Sequence, residues 1–325
     1  MYKITFKNVG QGDSIIIEWL EGSHWKVGVV DCNKYYGNPV LEHIINEGYN
    51  ELEFVILSHP HDDHFSGILE LLEKCRDNNI SIKTFLHTCK LTREFLDSCS
   101  KSVTSRKKLV KIFEFLLKYS GSLGVQTGTI EAGIFENVIK LNSNSYLEFF
   151  SPFHVDYVNF AASRKYDVAF EKSGNNNEAN KLSTIINIQL AEGHILLTSD
   201  APKYNLTRVD DKFKGKISGS LFVGQSAHHG SPKNHSKIFW NKRAKNDQSK
   251  IVFSVGENGH KHPDENVVKY FIDKGYIVHS TNTVGPFSSM NGKGKKSSLL
   301  DSFSTLVPQK VNNNLQGDQV FEFTS

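Results

Sequence analysis

The seven residues "SHPHDDH" (58–64) hold three histidines and two aspartates. Neutral imidazoles and carboxylates are the ligands of zinc and other first-row divalent metals. His59 and His61 are two apart, so an extended loop can steer both side chains to one cation. Asp63 and His64 follow at once. Four ligands from six residues are too many for one open catalytic site and suit two adjacent ions. Two ions about 3.5–4 Å apart can clamp an attacking water and a leaving oxygen together. A hydroxide held between them has its pKa lowered toward neutrality.

Two further stretches extend the set. "HILLTSDAP" ends an apolar run at Asp200, a carboxylate placed to bridge two ions, and "FVGQSAHHGSP" ends another at His228 and His229. A single scattered histidine is ordinarily a satisfied core or surface residue. That reading does not account for His59, His61, Asp63, His64, Asp200 and the His228/His229 pair, all at the ends of strand-like runs.

The elements that must position these residues read as an α/β (α+β) chain. "YKITFKNV" and "SIIIEWL" flank "GQGD", where Gly10 and Gly12 suit a hairpin turn. "HWKVGVVDCN" makes a third strand ending at Asp31, and a helix over 38–48 has Asn38 as its cap and Gly48 as its stop. "EFVIL" is the buried strand leading into the cluster, and the spacing predicts a helix over about 63–77. Residues 91–119 read as helical, with an apolar stripe of Leu109, Ile112, Phe113, Leu116 and Leu117. Lys101, Arg106, Lys107, Lys108 and Lys111 lie among or just before that stripe. "SYLEFFSPFH" returns to strand, "RKYDVAFEKSGNNNEANK" is a polar excursion, and "STIINIQLA" and "HILLTSD" form a hairpin. "SLFVGQS", "KIVFSVG", "GYIVHST" and "QVFEF" are further strands, with a helix over about 264–274 and the linker-like "NGKGKK" at 291–296. One domain over 1–325 is expected, with a helical insert at about 90–144 and a last strand at about 317–324.

The chain has 325 residues, 38% hydrophobic and 22% charged, a globular composition. Its formal net charge of +3 permits an anionic partner without requiring one. Four cysteines with no CxxC pair point to a reducing compartment rather than a disulfide framework. The N-terminus alternates like a strand and shows no charged region followed by an apolar run. No apolar stretch approaches the roughly 18 residues of a membrane span. A cytoplasmic protein with no membrane partner is therefore expected.

The pattern HxHxDH, a strand-terminal Asp and a later His resembles the metallo-β-lactamase superfamily. The ordered motifs "VGQGDS", "VVDCN", "SHPHDDHFSG", "LLTSDAP", "SAHHGS" and "FSVGENGHKHP" followed by "STNTVG" resemble the metallo-hydrolase domain of ComEC-type competence proteins. The resemblance covers nearly the whole chain and implies a four-layer αβ/βα sandwich with metals at one edge of two facing sheets. It implies two divalent ions, zinc foremost, with manganese or iron accepted by the same His-rich site. His59 and His61 would hold the first ion, Asp63 and His64 the second, and Asp200 both. Either His228 or His229 would join the second ion while the other donates a hydrogen bond to substrate. "SPFH" stands where the superfamily has a "TPGH" turn, which makes His154 a third ligand of the first ion; His87 comes too soon after the first cluster to fit that place as well. Asp31 would orient a ligand histidine, and Asn33, where the family has glycine, would take a left-handed backbone. Gln11 and Asp13 would face the site. Cys32, beside Asp31, reads as a small buried hydrophobe. The "GENGHKHPDE" loop resembles the family's "GHP" segment, where His262 would bind a substrate phosphate or act as general acid. The catalytic set is then Asp63, His228, His229 and His262.

The resulting expectation is a dinuclear metal-dependent hydrolase, a phosphodiesterase or nuclease acting on nucleic acid or a nucleotide. The same hydroxide would serve a lactone or thioester, and the same centre a phosphorylcholine ester. A protein partner is also compatible, with the chain as a subunit of a multi-protein DNA-handling or defence system. DNA uptake through a membrane is not expected of this chain alone. The basic stretch "SRKKLVK" reads either as a track for a phosphate backbone or as the solvated face of an amphipathic helix.

Overall fold

The computed structural model describes residues 1–100, 102–133, 138–165, 176–290 and 316–324. The first sheet contains β1 (Tyr2–Phe6), β2 (Ser14–Glu21), β3 (His24–Cys32), β4 (Glu51–Leu57), β5 (Ser81–His87) and β6 (Gln126–Thr129). The second contains β7 (Val138–Asn142), β8 (Ser145–Phe149), β9 (Ile186–Gln189), β10 (Gly193–Leu197), β11 (Ser220–Gln225), β12 (Lys250–Phe253) and β13 (Ile277–Ser280). A last strand, β14 (Gln319–Phe323), returns to the first sheet and pairs antiparallel with β1. The strand orders are β14-β1-β2-β3-β4-β5-β6 and β13-β12-β11-β10-β9-β8-β7. In each sheet an antiparallel half runs into a parallel half, β3 to β6 and β10 to β13.

The helices are α1 (Pro39–Asn46), α2 (Asp62–Phe65), α3 (Ile68–Asp77), α4 (Arg93–Ser98), α5 (Val103–Leu123), α6 (His154–Lys165), α7 (Lys203–Lys212), α8 (Lys237–Asn241), α9 (Glu265–Asp273) and α10 (Pro286–Met290). Among the described residues, no helix is long and apolar enough to cross a membrane.

Period-two alternation in the strands produces four layers. Ile15, Ile17, Phe54 and Ile56 share one apolar cluster with Ile186, Ile188, Ile195, Leu197 and Val252, which fills the space between the sheets. The intervening Ile16, Val55 and Leu57 pack outward against Leu41, Ile44, Leu71, Leu72 and Ile112 of α1, α3 and α5. On the far side Leu196, Ile251 and Phe253 pack outward against Leu206, Val209, Trp240, Val268 and Phe271 of α7, α8 and α9. The α+β class and the four-layer αβ/βα sandwich are therefore as expected.

Local departures have physical reasons. The helix read over 63–77 is two helices, broken at Ser66 and Gly67. Gly67 donates its N–H to the carbonyl of Cys32 at 2.8 Å, and a Cβ there would lie 2.9 Å from Cys32 Sγ. The helical stretch 91–119 is likewise divided into α4 and α5, and Ser102 caps the second by accepting from Ser105 N–H. Of the residues read as the apolar stripe, Leu109, Ile112, Phe113 and Leu116 are buried and Leu117 is exposed. Residues 90–144 hold α4 and α5 together with β6 and β7, the edge strand of each sheet. The "SPFH" turn leads straight into α6, which His154 opens. The linker-like 291–296 lies outside the described residues, as do residues 166–175 of the polar excursion over 164–181; its end forms a 3-10 helix, Asn176–Leu182. All four cysteines are buried and free, Cys32 among them.

Candidate metal centre

The parallel strands β3, β4, β10, β11 and β12 all end at one edge of the sandwich, where α/β sheets place their ligands. Asp31 comes from β3, the 58–64 loop follows β4, Ser199 and Asp200 follow β10, His228 and His229 follow β11, and Ser254 follows β12.

His59 lies at the bottom, fully buried. Its Nε2 is 3.1 Å from His61 Nδ1 and 3.6 Å from Asp200 Oδ2, and its Nδ1 is 3.1 Å from Ser199 Oγ. Burial, and then the neighbouring His64, push the imidazole of His59 down to about 3, so it is a neutral lone-pair donor at neutral pH. Burial also lowers His61. His64 gives Nδ1–H to Asp31 Oδ2 at 2.7 Å, leaving Nε2 3.6 Å from Asp200 Oδ1 and 4.0 Å from Asp63 Oδ1. Burial opposes charge on His64, but Asp31, Asp63 and Asp200 outweigh it and hold its pKa well above the usual value.

The turn at residues 228–230 orients its two histidines differently. His229 donates Nδ1–H to the carbonyl of Ser254 at 2.7 Å, which fixes the tautomer and turns Nε2 inward. That Nε2 is 3.5 Å from both Asp63 Oδ2 and Asp200 Oδ1. His228 instead accepts at Nδ1 from Asn180 Nδ2 at 3.2 Å, so its Nε2 carries the proton, 3.4 Å from Asp200 Oδ2. Both residues, with Gly230, have positive φ (50°, 56° and 83°). Successive left-handed residues that are not glycine are costly. The turn holds because His228 N–H donates to Ser199 O and Ser231 N–H to His228 O, each at 2.9 Å.

Four carboxylates, Asp13, Asp31, Asp63 and Asp200, thus crowd one edge. Asp13 is buried; its Oδ2 accepts from Gln225 Nε2 at 2.8 Å and lies 3.7 Å from His64 Nδ1. Gln225 Oε1 in turn accepts from the N–H groups of Thr198 and Ser199 and so holds the turn into Asp200. Gln11 stands further out and accepts from Gly256 N–H at 3.3 Å. Asp63 is 36% exposed on its side chain, on the open side. Burial would raise its carboxyl, but His64 and His229 overcome this and hold it low. Burial is likewise outweighed at Asp200, by His228, His229 and His64, and at His229, which Asp200, Asp63 and Asp13 raise to about 9.

The donor set fits divalent metal. His59, His64 and Asp200 offer ligand atoms within 4.8 Å of one another, as do Asp63, His64 and His229. His61 Nε2, His64 Nε2, His229 Nε2, Asp200 Oδ1 and Asp13 Oδ1 are buried with no hydrogen-bond partner. Buried polar atoms are almost always satisfied. So many orphans of one chemical kind at one place form a cradle for a cation.

Of the other expected residues, His154 stands apart from the cluster and His262 lies beside it. His154 is 72% exposed and pairs with Glu131 at 3.4 Å. Among the described residues it belongs to no group of converging ligand atoms. His262 lies in the outer wall, its ring 5.5 Å from that of His228 and its buried Nδ1 unpartnered. Burial, and then His228 and His229, lower it to about 4. The left-handed residue in "VDCN" is Asp31 (φ 60°) rather than Asn33. Asn33 instead donates to Gln11 O at 2.8 Å and accepts from Ser66 Oγ at 2.6 Å, tying the first loop to the cluster.

No family model and no curated protein matches the chain. Among solved structures it is similar to the metallo-beta-lactamase fold protein YhfI from Bacillus subtilis, with TM-score 0.44 and 10% identity over 86% of this chain and 95% of that one. It is similar also to a diphosphatase of the PhnP family, with TM-score 0.47 and 10% identity over 100% and 98%. A third is Zn(2+)-bound PqqB from Methylobacterium extorquens, with TM-score 0.43 and 11% identity over 86% and 97%. At these identities the likeness reaches no further than the fold.

Proposed function

We propose that the chain is a metal-dependent hydrolase of phosphodiesters whose centre holds two divalent ions. The observation that carries the reading is the convergence of the orphaned His64 and His229 Nε2 atoms on Asp200 Oδ1, beside half-buried Asp63. His59, His61 and Asp200 would hold one ion, and Asp63, His64, His229 and Asp200 the other. When bound, the ions supply a hydroxide at neutral pH and neutralise charge on the phosphoryl oxygens.

The chain's own residues do the rest. Asp31 and the Ser254 carbonyl fix the tautomers of His64 and His229. His228 presents a fixed Nε2–H at the mouth, suited to an oxygen of the substrate. With its pKa lowered to about 4, His262 is neutral at pH 7, which favours a hydrogen-bonding part over that of proton donor. His154 has no part in this assignment.

The test is hydrolysis of bis(p-nitrophenyl) phosphate by purified protein of known metal content, after chelation and after adding back zinc or manganese. Cleavage should vanish with chelation, return with metal, and be missing from an Asp63→Ala/His64→Ala variant. Metal bound at near two ions per chain with no cleavage would move the reading to another ester. No bound metal under any condition would end it.

A further inference from the structure

Residues 90–118 contain eight Lys and Arg against three Asp and Glu, in a chain whose formal net charge is only +3. The remainder of the chain is therefore net negative, and most of the excess sits on α5, with Arg106, Lys107, Lys108, Lys111 and Lys118 against Glu114. Leu109, Ile112, Phe113 and Leu116 bury one face of α5 in the core, which turns its basic residues outward. Between α4 and α5 runs a groove of about 500 Å³ lined by Arg93, Arg106, Lys107 and Lys111, with Asp97, Glu114 and two valines. Arg93 is engaged by Asp97 at 2.9 Å. Arg106, Lys107 and Lys111 form no ion pair among the described residues, and Lys107 and Lys111 are exposed.

The groove is connected to the metal centre. Lys108, next to Lys107 and one turn from Lys111, reaches both carboxylate oxygens of Asp62, at 3.2 and 3.3 Å. Asp62 lies between His61 and Asp63 in the chain. Lys108 thus joins the basic helix to the loop that carries the candidate ligands. The lining of the groove includes no aromatic side chain on which a base could stack.

We infer that this groove is the docking track of a nucleic-acid strand, gripped by its phosphates without regard to sequence and led past Lys108 to the metal centre. Cleavage there rests on the phosphodiesterase reading; binding of the strand does not.

The experiment is a fluorescence-anisotropy titration of the full chain with a labelled single-stranded oligonucleotide of mixed sequence. EDTA arrests turnover, and the titration is repeated over a range of salt. Wild type is compared with Arg106→Gln/Lys107→Gln/Lys111→Gln and with a control that removes three exposed lysines on or beside the helices that cover the other sheet, Lys212→Gln/Lys214→Gln/Lys245→Gln. Each phosphate contact to a single strand contributes about 0.7 to the slope of log K against log salt. The groove variant should bind at least about ten-fold more weakly, with its slope smaller by about 2. The control should bind as wild type does, and both should cleave bis(p-nitrophenyl) phosphate at the wild-type rate. Equal binding by wild type and groove variant, equal loss in the control, or no binding by wild type would each overturn the inference. Loss of strand binding in the groove variant alone, with no phosphodiester cleaved by any protein, would keep the track and refute the phosphodiesterase reading.

Discussion

Asp31 and His64, 33 positions apart, meet at 2.7 Å, and the carboxylate also accepts from Ser58 N–H at 2.7 Å and Ser58 Oγ at 2.6 Å. One buried carboxylate therefore fixes both the ring of His64 and the start of the loop that carries His59, His61 and Asp63. Such outer partners of a ligand histidine are worth about 10–100-fold in metal affinity. Asp31→Asn keeps the size and tolerates the positive φ. It should weaken zinc binding by about that factor in a competition titration against a chromophoric chelator. Unchanged affinity would show that His64 needs no such partner.

His228 and His229 should separate cleanly on substitution. Asparagine suits both positions because it tolerates the left-handed backbone each one has. His229→Asn removes the inward Nε2 and should cost about one ion per chain by elemental analysis. His228→Asn removes only a fixed N–H at the mouth, so metal content should stay whole while kcat falls about 100-fold. The opposite pattern would exchange the two assignments.

Gly12 shows how close the first loop comes to the cluster. Its φ is +129°, and a Cβ there would overlap the carbonyl oxygen of Asp63 and the amide of Asn33. Asp13 N–H donates to that same carbonyl at 3.1 Å. Gly22 also has positive φ, but nothing lies within 4 Å of its would-be Cβ. Gly22→Ala should therefore cost only the backbone strain, about 1–2 kcal/mol. Gly12→Ala should cost clearly more in urea denaturation and should lower metal content as well, because the Asp63 loop must move.

That contrast marks the boundary of what the sequence discloses. That His59, His61, Asp63, His64, Asp200, His228 and His229 gather at one edge was legible because their side-chain types are those of metal ligands and because each follows a strand whose apolar run is visible. The parts that hold them were less legible. Gln225, Ser199 and Asn180 look like ordinary polar residues, and the Ser254 carbonyl has no sequence signature. The signal for Gln225 was a long polar side chain at the end of the buried "SLFVGQ" strand, where it needs partners for its amide. The different orientations of His228 and His229 depend on a turn whose dihedrals no spacing rule gives. Asp31 is legible as an orienting residue, but its left-handed backbone is not, because the family's glycine corresponds to Asn33. The break at Gly67 and the exposure of Leu117 are tertiary: each depends on what packs against the helix.

His87 lies at the end of β5 and is buried away from the cluster against Phe85 and Phe113, its Nδ1 accepting from Cys89 N–H at 3.2 Å. Burial pushes its pKa down to about 4, below the ordinary value of 6.5. Between these values the unfolded chain binds the extra proton and the folded one does not. The contribution of His87 is therefore whole above pH 6.5 and is lost as pH falls from there toward 4. His87→Asn keeps an acceptor for Cys89 and cannot titrate. The variant should be the less stable protein at pH 7.5, since it packs less well against the two rings. At pH 5 the gap should be smaller by about 2 kcal/mol, from about 1.4 kcal/mol for each pH unit below 6.5. Denaturant titrations of both proteins in EDTA would measure this, with metal loss at low pH removed from the comparison. A gap that stays constant from pH 7.5 to 5 would mean that His87 titrates normally and that its pocket admits water.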